Sequence, residues 1–226
     1  MATVVEAPKS RIATKTDLPN RILLHNVSWE LYETLRQEVS NWHVRMAYDS
    51  GDLELMSPSQ SHGEIEWRFG IFLMELADVL GFPCKPLGST TWKRPGAKKA
   101  KEADGCYYLS NYERVRRKKI DLDVDPPPDL AIEVEVSRSS LNSLGIYQEI
   151  GVPEIWRFDG EELHIHSKQA NGSYLEVIQS PAFSFLLREE IVAWMIKAEE
   201  MDDDLAWKRE IRDWATVILA PRLEPH

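Results

Sequence analysis

The chain has 226 residues, 43% of them hydrophobic, and a formal charge of −10. That is enough apolar material for one sizeable core, so a single domain with appendages is expected, and the negative balance excludes an indiscriminate nucleic-acid binder. Cys84 and Cys106 are too few for a disulfide framework and lack zinc-type Cys/His spacing. No apolar run has the form of a signal peptide or a membrane span, so a cytoplasmic setting without a membrane partner is expected.

Residues 1–20, with scattered Pro, Lys and Thr, read as a loose arm. Ser28 is placed to cap a helix to about Glu38, with Trp29, Leu31, Leu35 and Val39 at roughly helical spacing. From His43 to Met56, alternating Val44, Met46 and Tyr48, then Leu53 and Leu55, flank Asp49-Ser50-Gly51-Asp52 and predict a hairpin. A loop over 57–62 leads into the strongest helix, where Ile65, Phe69, Phe72, Leu73, Leu76 and Leu80 share one broad face and Gly81 stops it. Strands are expected at 84–89 and 90–93, then a lysine-rich loop over 94–101, a strand carrying Glu102 and Asp104, and a short basic helix over 112–119. Pro126-Pro127-Pro128 fixes an extended entry to the next strand. A helix over 139–150 ended by Gly151, strands at 154–158, 163–166 and 174–178, and a helix from Arg188 to about Val217, interrupted near 202–204, complete the chain.

The strand after the prolines carries the chemistry. Leu130, Ile132, Val134 and Val136 alternate with Ala131, Glu133 and Glu135, so a period of two points both glutamates to one face. Two carboxylates one pleat apart repel unless water, a base or a cation lies between them. An edge strand with one solvated face explains the alternation about equally well. Upstream, however, Glu102 and Asp104 make a second pair, and two neighbouring strands delivering acids to one face form a hard-oxygen site suited to Mg2+ or Mn2+.

Other candidates have two readings each. His62, opening the long helix with Glu66 one turn on, either faces these acids or caps the helix. His164 and His166 alternate on a strand without a carboxylate pattern nearby and read as a solvated face rather than a metal pair. Between Trp92 and Lys119 there are ten Lys or Arg against three acids. The lysines of 93–101 are therefore either phosphate contacts or a solvated run, and Trp92 is either core or a stacking platform. No phosphate-cradling Gly loop, nucleophile elbow or zinc motif is present.

Four segments in order carry a resemblance: Gly51-Asp52-Leu53-Glu54-Leu55-Met56-Ser57-Pro58-Ser59-Gln60-Ser61-His62; Gly88 to Trp92 with Glu102-Ala103-Asp104-Gly105-Cys106-Tyr107; Pro128-Asp129-Leu130-Ala131-Ile132-Glu133-Val134; and Ile146-Tyr147 with Gly151-Val152-Pro153-Glu154-Ile155-Trp156. Over about residues 20–190 the chain resembles the Uma-type restriction-endonuclease family, which is similar to the PD-(D/E)XK nucleases. The resemblance implies an α/β fold with a central mixed β-sheet flanked by helices over 21–190; the acidic C-terminal helical extension expected over 191–226 lies outside it. It implies a DNA endonuclease dependent on Mg2+ or Mn2+, with Asp104, Glu133 and the Val134 carbonyl as metal ligands and Glu135 and His62 assisting in catalysis.

Glu135 stands where those nucleases usually carry a lysine, and Ser143, four residues before Tyr147, stands where this family often relocates it. A second metal on Glu135 or Glu102, or a basic residue such as Lys101 or Arg138, then has to substitute. Otherwise the chain is a nuclease-like module that binds nucleic acid or a protein without cleaving. Ala103 in place of the usual proline alters only backbone stiffness. A homodimer is expected for double-strand cleavage, which needs two sites.

Overall fold

The computed structural model describes residues 20–38, 44–135 and 139–223. Its strands are β1 (Asn20–Leu24), β2 (Arg45–Asp49), β3 (Asp52–Ser57), β4 (Lys85–Pro86), β5 (Thr90–Arg94), β6 (Lys99–Ala103), β7 (Gly105–Tyr108), β8 (Leu130–Val134), β9 (Glu154–Phe158), β10 (Leu163–Lys168) and β11 (Tyr174–Val177). The helices are α1 (Trp29–Glu38), α2 (Gln60–Leu80), α3 (Tyr112–Val115), α4 (Ser143–Ile150), α5 (Arg188–Glu200), α6 (Asp204–Trp214) and α7 (Ala220–Leu223), with a π-helical turn at Ala215–Leu219 joining the last two.

A five-stranded antiparallel sheet in the order β1-β3-β2-β6-β5 begins from the expected hairpin. Its turn places Ser50 and Gly51 at φ 52° and 113°, the pair of positive values that lets a two-residue loop follow the strand twist. β1 extends the sheet at one edge, so Asn20 belongs to a strand and not to an arm; residues 1–19 lie outside the described chain. The lysine-rich segment is no loop. It is the β5–β6 hairpin, closed by a 3-10 turn at Pro95–Ala97 with Lys98 at φ 50°.

The second sheet has six strands in the order β11-β10-β9-β8-β7-β4. All its pairings are antiparallel except β8 with β9, a parallel pair that needs a crossover, supplied by α4. β8 is therefore a central strand and all five residues are buried, which overturns the edge-strand reading. The alternation reflects two covered faces instead of one solvated face. Leu130, Ile132 and Val134 pack with Phe69, Phe72 and Trp156 beneath α2, while Ala131 and Ile155 pack with Ile146 and Tyr147 of α4 on the other side.

Helix ends follow their caps. Ser28 Oγ accepts from Leu31 N at 3.1 Å at the start of α1, and Ser59 Oγ accepts from the His62 N–H at the start of α2. Gly81, at φ 73°, ends α2. Two helices are shorter than expected. α4 begins at Ser143 because the Asn142 side chain caps it, accepting from Gly145 N at 3.1 Å, and the basic helix shrinks to the single turn of α3. β4 is only Lys85–Pro86, with one further bond to β7 from the Leu87 N–H to the Cys106 carbonyl at 2.9 Å.

The acidic break at 202–204 is a helix start: Asp203 accepts from Leu205 N and Ala206 N and caps α6. We expect Asp203→Ala to lower the urea midpoint by an amount equivalent to about 1 kcal/mol, with the slope of the transition unchanged. α5 and α6 send Ile191, Trp194, Met195, Trp207 and Ile211 into the same core that covers β8. Among the described residues no helix is long and apolar enough to cross a membrane.

Candidate active site

Asp104 is the single residue between β6 and β7, and so lies where the chain leaves one sheet for the other. It is 2% exposed and would carry an unpaid desolvation penalty there without partners. Its Oδ2 accepts the Val134 N–H at 2.6 Å. Its Oδ1 is ion-paired with Arg45 of β2 and lies 3.1 Å from His62 Nε2. Arg45 reaches Glu66 of α2 with its other terminal nitrogen, at 2.5 Å. His62 thus both opens the helix and faces the acid. Burial, then the Arg45 charge, hold its pKa down to about 3, so the imidazole is neutral at ordinary pH. Its Nδ1 is buried without a partner.

The second acid is held separately. Glu133 is 4% exposed and lies on the α4 face of β8, where it meets Lys101 Nζ of β6 at 2.9 Å and accepts from the Tyr147 hydroxyl. Burial first, then the neighbouring carboxylate, raise the Tyr147 pKa far above its ordinary value, which keeps that phenol a donor. Asp104 and Glu133 come to one level of the structure, because Gly105 pairs with Ile132 in the β7–β8 ladder and the next step of that register sets residue 104 opposite 133. Asp104 is fastened to the backbone N–H of the residue that follows Glu133.

Two expected members of the set stand apart. Glu135 turns to Arg157 of β9 in a two-point pair, with Oε1 2.9 Å from Arg157 Nε. Glu102 accepts from Ser89 Oγ at 2.8 Å. Among the described residues no three His, Cys, Asp or Glu side chains gather as a metal-ligating group. Arg138 lies outside the described residues. Where the described chain resumes, Ser139 Oγ and Ser140 N donate to Glu54 of β3 at 2.9 and 2.6 Å, tying the α4 approach to the first sheet.

Glu135 and Arg157 also wall a polar cavity of about 680 Å3 at the open end of β8 and β9, with Ser143, His164 and His166 among its other lining residues. Of the two histidines, His164 keeps a solvated side chain, 39% exposed, and His166 does not. His164 pairs with Glu176 at 2.8 Å, and His166 is 7% exposed with its Nε2 unpartnered. Burial, then the Arg157 charge, lower the His166 pKa, so the unfolded chain takes up a proton there that the folded chain refuses. Stability from this group is present above about pH 6.5, the ordinary histidine value, and is lost as the pH falls through it. His166→Asn is expected to flatten the fall in unfolding free energy between neutral and mildly acid pH, measured by urea titrations across that range.

The basic region from Trp92 to Lys119 is largely spoken for. Lys93 pairs with Glu33 at 2.8 Å, Lys99 with Asp49 and Lys118 with Asp125, while Arg94 donates to the Leu122 carbonyl. Trp92 is 3% exposed and its indole N–H points at Cys106 Sγ, which makes it core and not a stacking platform. Sequence reasoning missed Arg45 and Arg157. Both alternate with apolar neighbours in strands, the same signal that flagged Glu133, but an arginine in that position reads as solvent-facing.

No curated protein matches the chain. A family model described as "putative restriction endonuclease" matches residues 29–199, which takes in both acids, both sheets from β2 onward and nearly all of α5. With that span and the α/β architecture of a restriction-endonuclease-like fold, the chain belongs to the Uma2 family.

Proposed function

We propose that the protein is a divalent-metal-dependent endonuclease that hydrolyses DNA phosphodiester bonds at Asp104 and Glu133. The observation that carries this reading is the fastening of Asp104, at the joint of the two sheets, to the Val134 N–H beside Glu133. Two buried carboxylates on adjoining backbone, with the Val134 carbonyl next to Glu133 in sequence, are hard oxygen donors of the kind Mg2+ and Mn2+ take, so the residues present fit such an ion in type. Bound there, the ion would polarise a non-bridging phosphate oxygen and make a water more acidic.

The chain's own residues supply the rest. The Val134 N–H donates to Asp104 and Tyr147 donates to Glu133, which fixes the direction of each carboxylate, while neutral His62 accepts from Arg45 at Nε2 and so steadies the cation beside Asp104. Arg45 and Lys101 bring positive charge beside the same carboxylates, where it opposes the charge that builds on phosphorus oxygens during attack. Cutting both strands requires a second copy of the chain or two successive events.

A second reading, a nuclease-like binding module without turnover, is favoured by one observation: each acid already has a protein cation as its partner. Supercoiled plasmid incubated with pure protein in Mg2+ or Mn2+ separates the two. Nicking that stops with a chelator and is absent in Asp104→Asn, with that variant shown folded by circular dichroism, supports the nuclease. Salt-dependent DNA retention with no nicking in either metal supports the binding module.

A further inference from the structure

Lys101 is an unusual lysine for a strand of this acidic protein. It is 7% exposed, and its Nζ is 2.9 Å from Glu133 Oε2. Its position follows from the β5–β6 hairpin, since β6 pairs with β2 through Ala47 and Lys101 and ends one residue before Asp104. The ammonium therefore comes from the first sheet and meets an acid of the second. On its other oxygen Glu133 is held by the Tyr147 hydroxyl, which carries no charge, so Lys101 is the charged partner that the described structure gives this carboxylate. An ammonium and a divalent cation on one carboxylate repel each other, and the site is too dry for solvent to screen them.

We infer that Lys101 is an exchangeable counter-ion: it neutralises Glu133 while the site is free of metal and releases it for the phosphodiester when Glu133 takes a divalent ion. This rests on the endonuclease reading and goes beyond it, because it gives Lys101 two successive partners and makes cation binding compete with an internal ion pair. No bond is made or broken in the exchange. The ammonium keeps its protons and turns from a carboxylate oxygen to a phosphate oxygen, the same kind of anionic acceptor. The lysine stem permits this, being a flexible four-carbon chain that ends in a compact point charge, whereas an arginine fork would lock onto both carboxylate oxygens.

The test compares wild type, Lys101→Gln and Lys101→Arg by calorimetric titration with Mn2+ and by plasmid nicking in the same metal. Removing the ammonium is expected to tighten Mn2+ binding at least tenfold and to slow nicking at least a hundredfold, opposite directions that a merely structural lysine would not produce. Lys101→Arg is expected to bind Mn2+ no better than wild type and to nick more slowly. It keeps the test decisive should the glutamine variant fail to fold with Glu133 unpaired. Mn2+ binding unchanged or weaker in a folded Lys101→Gln, or full nicking by Lys101→Arg, overturns the inference while wild-type nicking leaves the nuclease reading standing. Wild type and folded variants all silent toward both Mn2+ and plasmid overturn the two together.

Discussion

Trp207→Ala is expected to lower the unfolding free energy by about 3–5 kcal/mol, the range for deleting a fully buried tryptophan. Trp207 of α6 is 0% exposed, and its indole N–H donates to the Trp194 carbonyl of α5 at 3.0 Å, so truncation opens a cavity and removes that link between the two helices. The helix it anchors is also joined to α2 by charge: Lys208 and Arg212 lie 2.9 and 2.7 Å from the buried Glu75. Read from sequence alone, residues 191–226 form an extension to a finished domain. Apolar side chains of α5 and α6 share one core with β8 and α2, and we expect the extension and the domain to unfold as one cooperative unit. Urea unfolding followed by tryptophan fluorescence and by circular dichroism checks this. Coincident single transitions shifted to lower urea in Trp207→Ala are the expected result; two separate transitions in wild type would show that the C-terminal helices fold apart.

What the sequence made legible was local. Caps at Ser28 and Ser59, the stop at Gly81 and the turn at Ser50-Gly51 each depend on a few neighbouring residues. The acids Asp104 and Glu133 were legible because carboxylates inside apolar strands need a partner. The division into two sheets was not. Glu102-Ala103-Asp104-Gly105 reads as one strand, yet residues on either side of Asp104 find hydrogen-bond partners in different sheets, Ala103 with Thr90 and Gly105 with Ile132. Only those distant pairings decide it. For the same reason Glu102 and Asp104 could be placed side by side in sequence but not assigned to different surroundings. The two arginines were hidden by the same limit: Arg45 comes from β2 and Arg157 from β9, and local alternation with apolar neighbours does not tell an acid on another element from solvent.

Arg45→Met is expected to destabilise the protein by about 3–5 kcal/mol in metal-free buffer, the cost of removing one partner from a buried ion pair. Arg45 holds Asp104 and Glu66 together. Methionine fills much the same space and leaves both carboxylates without their shared charge, with only the Val134 N–H and His62 still on Asp104. The size of this loss matters less than its response to metal. If Asp104 is a ligand, Mn2+ replaces the missing positive charge in the folded state alone, and the variant recovers stability in proportion to RT ln(1 + [Mn2+]/Kd), more steeply than wild type does. Thermal melts of both proteins across a Mn2+ series measure this, with Mg2+ as a second hard cation and a chelator as the baseline. A variant whose melting point rises with Mn2+ while wild type barely moves would mean that Arg45 occupies, in the resting protein, charge space that a metal can take. A variant equally crippled at every Mn2+ concentration would make the Arg45–Asp104–Glu66 group a fixed structural joint between the two sheets, and would leave the binding module as the better account of this chain.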